Sequence, residues 1–90
     1  MNDLQYMGQA LRTLRRAKGL SQIQVAVQSG INPSYYSRIE RGDVNPSVKK
    51  IFTILTTLEV SLEEYCRSIA REKGVFLSVL PERKHVRKRQ

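Results

Sequence analysis

The sequence predicts an all-α fold, with five short helices in one small domain. Apolar residues recur at three- and four-residue steps in five separate stretches, which is the spacing that lines one face of an α-helix. A residue suited to capping a helix N-terminus precedes every stretch, and a glycine follows four of them. The chain has 90 residues, so we expect one modest hydrophobic core and no room for a second, catalytic domain.

The first two predicted helices are bounded by polar caps and glycines. Asn2 or Asp3 caps the first helix, which ends at Gly19. Ser21 opens a Ser-Gln-Ile-Gln capping-box pattern, and the second helix ends before Gly30. The apolar stripe of the first helix is Leu4, Met7, Leu11, Leu14 and Ala17, and that of the second is Ile23, Val25, Ala26 and Val27.

The third predicted helix begins at Asn32 and ends at Gly42. Asn32 suits the N-cap, and the following proline suits the first helical position, where its missing N–H costs nothing. Tyr36 and Ile39 lie three residues apart and should face inward against Val25. The polar side chains fall on the other faces of the helix, where they are free to contact a partner.

The last two predicted helices follow the serines Ser47 and Ser61. Ser61-Leu-Glu-Glu is a further capping-box pattern, and the fifth helix ends at Gly74. We expect the fourth helix to bury Val48, Ile51, Phe52, Leu55 and Leu58, and the fifth to bury Leu62, Tyr65, Cys66 and Ile69.

A C-terminal extension follows the domain of residues 1–74. Residues 75–80 are rich in strand-forming side chains, and a lone strand leaves backbone groups unpaired, so we interpret them as a candidate dimer contact. Residues 81–90 carry five Lys or Arg against one Glu and few apolar residues, so we expect a basic, disordered tail. Its composition fits contact with DNA phosphates, binding to acidic surfaces or a contribution to solubility, and of these we favour nonspecific DNA affinity.

Charge and composition exclude several classes of protein. Sixteen Lys and Arg against eight Asp and Glu give a net charge of +8, which favours a polyanionic partner. No apolar run approaches the roughly 20 residues of a membrane span, so we expect no membrane partner and a cytoplasmic protein. Cys66 and His85 are single residues of their type, so we predict no internal disulfide, zinc site, cofactor, small-molecule ligand or enzymatic activity.

Residues 21–42 have the pattern of a helix-turn-helix: a short helix, a tight turn containing glycine, and a second helix with a polar outer face. Ala26 and Gly30 fit this unit, because a small residue lets two backbones approach and glycine accepts a positive φ.

These residues resemble the Xre family of Cro and lambda-repressor-like regulators over about residues 4–70. The resemblance implies a lambda-repressor-like five-helix fold, a homodimer on a two-fold-symmetric operator in double-stranded DNA, and regulation of transcription. The matching segments are Leu11-Arg-Thr-Leu-Arg-Arg-Ala-Lys-Gly-Leu-Ser-Gln22, Tyr35-Tyr-Ser-Arg-Ile-Glu-Arg-Gly42, Asn45-Pro-Ser47 and Leu58-Glu-Val-Ser-Leu62.

The resemblance also implies where DNA is contacted. The helix of about residues 32–41 would lie in the major groove, with Arg38 the best single choice for a guanine contact. Pro33 stands where a polar base-reading side chain often lies, so DNA shape would contribute to sequence preference. Arg15 and Glu40 match a structural pair of the family. The full candidate DNA-binding set is Gln22, Asn32, Pro33, Ser34, Tyr35, Arg38, Arg41, Asn45 and Lys49.

Two functions remain open on the sequence. The first is a homodimeric regulator, of the type of a phage repressor, a restriction-modification controller or an antitoxin, with the operator and the sign of regulation undetermined. The alternative is a protein-binding module that uses the same helices and the apolar segment 75–80 to engage another protein.

Overall fold

A computed structural model describes residues 1–75 of the chain, and these residues form five α-helices. Residues 76–90 lie outside the described residues, and with them lie the expected strand and the expected basic tail. None of the helices in residues 1–75 is long and apolar enough to cross a membrane. The helices are α1 (Asp3–Ala17), α2 (Gln22–Gln28), α3 (Pro33–Arg41), α4 (Val48–Leu58) and α5 (Leu62–Lys73).

The predicted caps fix where the helices begin. Asn2 and Ser21 each form a reciprocal capping box with the glutamine three residues on, at the starts of α1 and α2. The Asn32 carboxamide oxygen accepts hydrogen bonds from two amides of the first turn of α3. Ser47 and Ser61 each accept one amide at the starts of α4 and α5, so only the serine half of the predicted capping box of α5 forms.

The core is built around α1 and α2. The first helix packs against both α3 and α5, and α2 packs against α3 and α4. Tyr36, Ile39 and Val25 are buried together, which confirms the predicted inward face of α3. The apolar core comprises Ala10, Leu11, Leu14, Val25, Ala26, Ile31, Tyr36, Ile39, Ile51, Ile54, Leu55, Leu58, Val60 and Tyr65.

The predicted apolar faces of α4 and α5 are partly wrong. Ile54 is buried in α4, whereas Val48 and Phe52 are exposed. In α5, Leu62 and Cys66 are exposed, so Cys66 is not a buried small side chain. In a short helix rich in apolar residues, two adjacent faces can both carry apolar side chains at helical spacing. Which of the two faces is buried is decided by tertiary packing. The same reason applies to Ala17, Ile23 and Val27, which are also exposed.

Close approach between helices depends on Gly8, a residue that the sequence analysis did not single out. A Cβ atom at Gly8 would overlap the backbone carbonyl oxygens of Ile39 and Glu40, so α1 crosses α3 with almost no space between the backbones. Gly30 has a positive φ of 69°, but a Cβ there would meet nothing within 4 Å. Its role is therefore conformational, and the expected positive φ at Gly30 is confirmed.

Replacing Gly8 with alanine should destabilise the fold by about 2 kcal/mol or more, because the obstructing atoms belong to the backbone of α3 and cannot turn aside. Helix propensity alone predicts the opposite, a gain of about 1 kcal/mol. Urea unfolding measures the difference, with Gln9→Ala on the exposed face of α1 as the matched control. A Gly8→Ala protein as stable as the Gln9→Ala protein would contradict the close crossing.

Candidate nucleic-acid interface

The turn between α2 and α3 is tightly fixed. The backbone N–H of Ile31 donates to the Ala26 carbonyl oxygen at 2.9 Å, and the Ile31 side chain is buried in the core. Gly30, which lies between α2 and Ile31, adopts the left-handed backbone conformation that this turn requires. The start of α3 is therefore set by the end of α2, and the two helices form one rigid angular unit.

One face of α3 is turned away from the protein. Ser34 and Arg38 are exposed one helical turn apart, and among residues 1–75 no ion pair or side-chain hydrogen bond holds Arg38. Pro33 is exposed beside them at the first helical position. The opposite face carries the buried Tyr36 and Ile39. This arrangement presents a serine hydroxyl and a guanidinium to a partner outside the chain.

The ends of α3 are organised by its own polar residues. The Oδ1 atom of Asn32 accepts from the amides of Ser34 at 2.8 Å and Tyr35 at 3.3 Å, so this side chain is committed to capping. Arg41 donates from Nε to Asp43 at 2.9 Å and from Nη1 to Ser37 at 3.0 Å. These bonds place its guanidinium beside Ser37 and Asp43 at the C-terminal end of α3. Asn45 is exposed in the following loop.

Tyr35 brings a residue of α4 to the interface. Its side chain is half-buried, and the Lys50 Nζ atom lies 5.8 Å from its ring centroid. The two side chains line an open depression of about 500 Å³ together with the turn residues 30–32. Lys49 is exposed about 100° further around α4, so it belongs to another face. Of the two adjacent lysines, Lys50 is the one that lies beside α3, and local sequence alone does not distinguish it from Lys49.

Glu40 joins three helices beneath this surface. Its fully buried carboxylate accepts from Arg15 Nε at 2.7 Å and Nη2 at 3.1 Å, which is a bidentate pair between α1 and α3. Gln22 Nε2 of α2 donates to the same carboxylate at 2.9 Å. Arg15 also donates from Nη1 to the Leu20 carbonyl oxygen at 2.9 Å. The structural pair implied by the family resemblance is thus present.

The network controls the ionisation of its members. Burial opposes the charged form of Glu40, but the hydrogen bonds from Arg15 and Gln22 and the positive charge of Arg15 outweigh burial, so the pKa of Glu40 is lowered. The hydrogen bond to Glu40 raises the pKa of Arg15. Burial, reinforced by the Glu40 carboxylate, raises the pKa of Tyr36 far above its ordinary value. The Arg15–Glu40 pair therefore stays ionised in the folded protein at neutral pH.

Gln22 and Arg12 lie where this network reaches the surface. Gln22 is half-buried, and its side-chain amide already donates to Glu40, so it is not free to turn toward solvent. Arg12 Nε lies 3.7 Å from a Glu40 oxygen, and its side chain is 41% exposed. Arg12 was not among the predicted site residues, because its position beside Glu40 depends on how α1 crosses α3.

Two helices joined by a tight turn, the second with an exposed polar face, define the chain as a helix-turn-helix protein. The family model described as "Helix-turn-helix" matches residues 11–65, which is more than half of the chain. The chain belongs to the helix-turn-helix family, and to its Xre-like group.

Relatives of the chain include regulators from several bacteria. It is 48% identical over 59 residues to the HTH-type transcriptional regulator SlrR of Bacillus subtilis, covering 64% of this chain and 39% of SlrR. The restriction-modification controller protein C.AhdI of Aeromonas hydrophila superposes with a TM-score of 0.68 at 44% identity, covering 70% of this chain and 96% of C.AhdI. The C.Esp1396I controller, solved as a tetramer with its natural 35-base-pair operator, has a TM-score of 0.74 at 28% identity, covering 80% and 95% of the two chains.

The carboxylate of Glu40 makes stability depend on pH. A pKa lowered by folding adds stability that is complete above the unfolded value of about 4.3 and is lost as the pH falls through the folded value. Glu40→Gln should therefore lower the free energy of unfolding by about 3 kcal/mol at pH 7, and the deficit should shrink in acid. Urea unfolding between pH 7 and pH 3 measures both quantities.

Glu64→Gln is the control for that experiment. Glu64 is exposed on α5, and the substitution removes the same negative charge without touching the buried network. It should unfold nearly as the parent protein does at every pH. A Glu40→Gln deficit that stays constant into acid would show that the network does not depend on an ionised Glu40.

Proposed function

We propose that this protein is a homodimeric transcriptional regulator that binds a specific sequence in duplex DNA with α3 in the major groove. The observation that carries the proposal is the exposed outer face of α3, where the side chains of Ser34 and Arg38 have no hydrogen-bond or ion-pair partner in the described part of their own chain. The exposed face is polar and cationic, as contact with base edges and phosphates requires. The family membership and the operator complex of C.Esp1396I support it.

The roles of the contact residues follow from their surroundings. Arg38 reads guanine, because its guanidinium is free to bond O6 and N7 together. Arg41 is pre-oriented by Asp43 and Ser37 and contacts a phosphate beside α3. Gln22 contributes its backbone N–H to a phosphate at the start of α2, since its side chain is held by Glu40.

The remaining contacts lie at the two ends of α3. Asn32 and Pro33 set the position of the first turn, and Ser34 reaches the bases from it. Tyr35 and Lys50 form a phosphate contact, so we assign the lysine contact to Lys50 instead of Lys49. Asn45 lies in the loop that follows α3 and contacts the backbone of the duplex.

Among regulators of this family, a restriction-modification controller fits this chain best. The chain covers 96% of C.AhdI and 95% of C.Esp1396I, both titled restriction-modification controllers, but only 39% of SlrR. We propose that it acts by binding and not by catalysis, in the cytoplasm where duplex DNA is found. The two recognition helices of the dimer would lie about 34 Å apart, one turn of DNA.

Arg38→Ala should weaken operator binding by about 2 kcal/mol for each half-site, with little effect on nonspecific DNA, because a base contact is lost and not a structural one. The operator is first selected from random duplex DNA, and fluorescence anisotropy then measures affinity for operator and scrambled duplexes. Arg71→Ala is the matched control, since Arg71 is exposed on α5. Equal losses on both duplexes would remove Arg38 from the residues that read sequence.

Lys50→Ala and Lys49→Ala should differ in their dependence on salt. Each phosphate contact contributes about 0.9 to the slope of log affinity against log salt, so a dimer that loses Lys50 twice should lose about 2 from the slope. Lys49→Ala should keep the parental slope, because Lys49 lies on another face of α4. The reverse pattern would support Lys49 as the phosphate contact and overturn our assignment.

A further inference from the structure

We propose that Arg12 of α1 binds a phosphate group of the DNA backbone, in an open depression between α1 and the C-terminal end of α3. This inference rests on the DNA binding of the proposed function and adds α1 to the surface that makes it. The depression has a volume of about 310 Å³. We call it the α1–α3 cleft, and its lining includes Gln5, Gln9, Arg12, Arg41 and Asp43.

The guanidinium of Arg12 lies close to Glu40 but forms no hydrogen bond with it. The Arg12 Nε atom is 3.7 Å from Oε1 of Glu40, which is beyond hydrogen-bond distance. That oxygen already accepts from Arg15 Nη2 at 3.1 Å and from Gln22 Nε2 at 2.9 Å. Because a carboxylate oxygen has two lone pairs, Oε1 has no capacity left for Arg12. The charge of Glu40 therefore holds Arg12 in place without using its donors.

The donors of Arg12 are not satisfied within residues 1–75. Its Nε–H group is buried and has no hydrogen-bond acceptor there. A buried donor without an acceptor is unfavourable and points to a partner that the described residues do not supply. The side chain as a whole is 41% exposed, so the other N–H groups of the guanidinium can meet an acceptor from outside the chain. The planar fork of a guanidinium matches two oxygens of a phosphate group.

The balance of charge around the cleft favours an anion. Two carboxylates, of Glu40 and Asp43, border the cleft, and each has a partner of its own. Glu40 is paired with Arg15 at 2.7 Å, and Asp43 is paired with Arg41 at 2.9 Å. The charge of Arg12 is the one left without a full counter-charge. The cleft therefore carries a net positive charge that an incoming phosphate would neutralise.

The cleft continues the surface that the proposed function assigns to DNA. Arg41 follows Ser34 by seven residues, so the two lie within about 20° of each other around α3, and the exposed face of α3 leads into the cleft. On its other side, Gln22 bonds the same Glu40 oxygen that Arg12 approaches. Arg12 thus lies between Gln22 and Arg41, which are both assigned to phosphates. Because it stands beside α3 and not on it, its contact is with the backbone and is the same for every base sequence.

The salt dependence of binding to a scrambled duplex tests this contact in the full chain. Arg12→Gln should lower the slope of log affinity against log salt by about 2 for a dimer, because one phosphate contact is lost from each subunit. The loss should be equal on operator and scrambled duplexes. Arg12→Lys keeps the charge and should keep the slope. Arg71→Gln removes the same charge from an exposed position on α5 and is the matched control.

Two further measurements separate a phosphate contact from a structural role. Arg12→Gln should unfold in urea as Arg71→Gln does, because Arg12 forms no hydrogen bond within residues 1–75. In ¹H–¹⁵N spectra, the Arg12 Nε–Hε signal, assigned by its loss in Arg12→Lys, should shift when scrambled duplex is added. A parallel titration with inorganic phosphate shows whether a free anion is sufficient.

The outcomes separate this inference from the proposed function. A parental slope in Arg12→Gln overturns the contact, and so does an equal loss in Arg71→Gln, which would make net charge the cause. A signal that moves with inorganic phosphate while the slope on DNA stays parental assigns the cleft to a free anion and rejects the DNA contact. If random-duplex selection enriches no sequence, the sequence-specific regulator fails, while a lower slope of Arg12→Gln on scrambled duplex still supports the Arg12 contact.

Discussion

The orientation of α3 depends on one buried carboxylate. Glu40 sits at the end of α3 and accepts hydrogen bonds from Arg15 of α1 and Gln22 of α2, so a single side chain fixes the relation of three helices. Burying an ion pair costs desolvation free energy that the attraction rarely exceeds by much, so its value lies less in stability than in geometry. An apolar contact would tolerate rotation of α3, whereas a bidentate pair allows one angle.

The backbone crossing at Gly8 complements this network. Where the side chain of Glu40 reaches Arg15, its carbonyl oxygen lies against Gly8 on the same helix α1. The end of α3 is thus held to α1 both through its side chain and through its main chain. At the other end of α3, Asn32 and Ile31 fix the first turn to α2. The exposed face between these two anchors is therefore fixed in position at both ends of the helix.

Local sequence determines the helix boundaries, and packing determines the rest. Asn2, Ser21, Asn32, Ser47 and Ser61 cap their own helices through bonds to residues two or three positions away, so their roles are readable from spacing. Which side of α4 is buried depends on how α2 packs against it. The helical period of the apolar residues is compatible with burial of either of two adjacent faces. The position of Lys50 beside Tyr35 and the need for glycine at position 8 are set by other tertiary contacts, of α4 with α3 and of α1 with α3. Neither feature can be predicted from the neighbouring sequence.

The cap of α3 has a consequence for how this protein could change over evolutionary time. Oδ1 of Asn32 takes the amides of Ser34 and Tyr35, Pro33 has none, and the amide of Tyr36 donates to the Asn32 carbonyl oxygen. The backbone amides at the start of α3 are therefore satisfied within the chain, and this capping does not depend on the side chains at positions 34 and 38. Those two positions are free to vary without loss of the helix start, so under the proposed function a lineage could acquire new target sites while the rest of the domain stays unchanged.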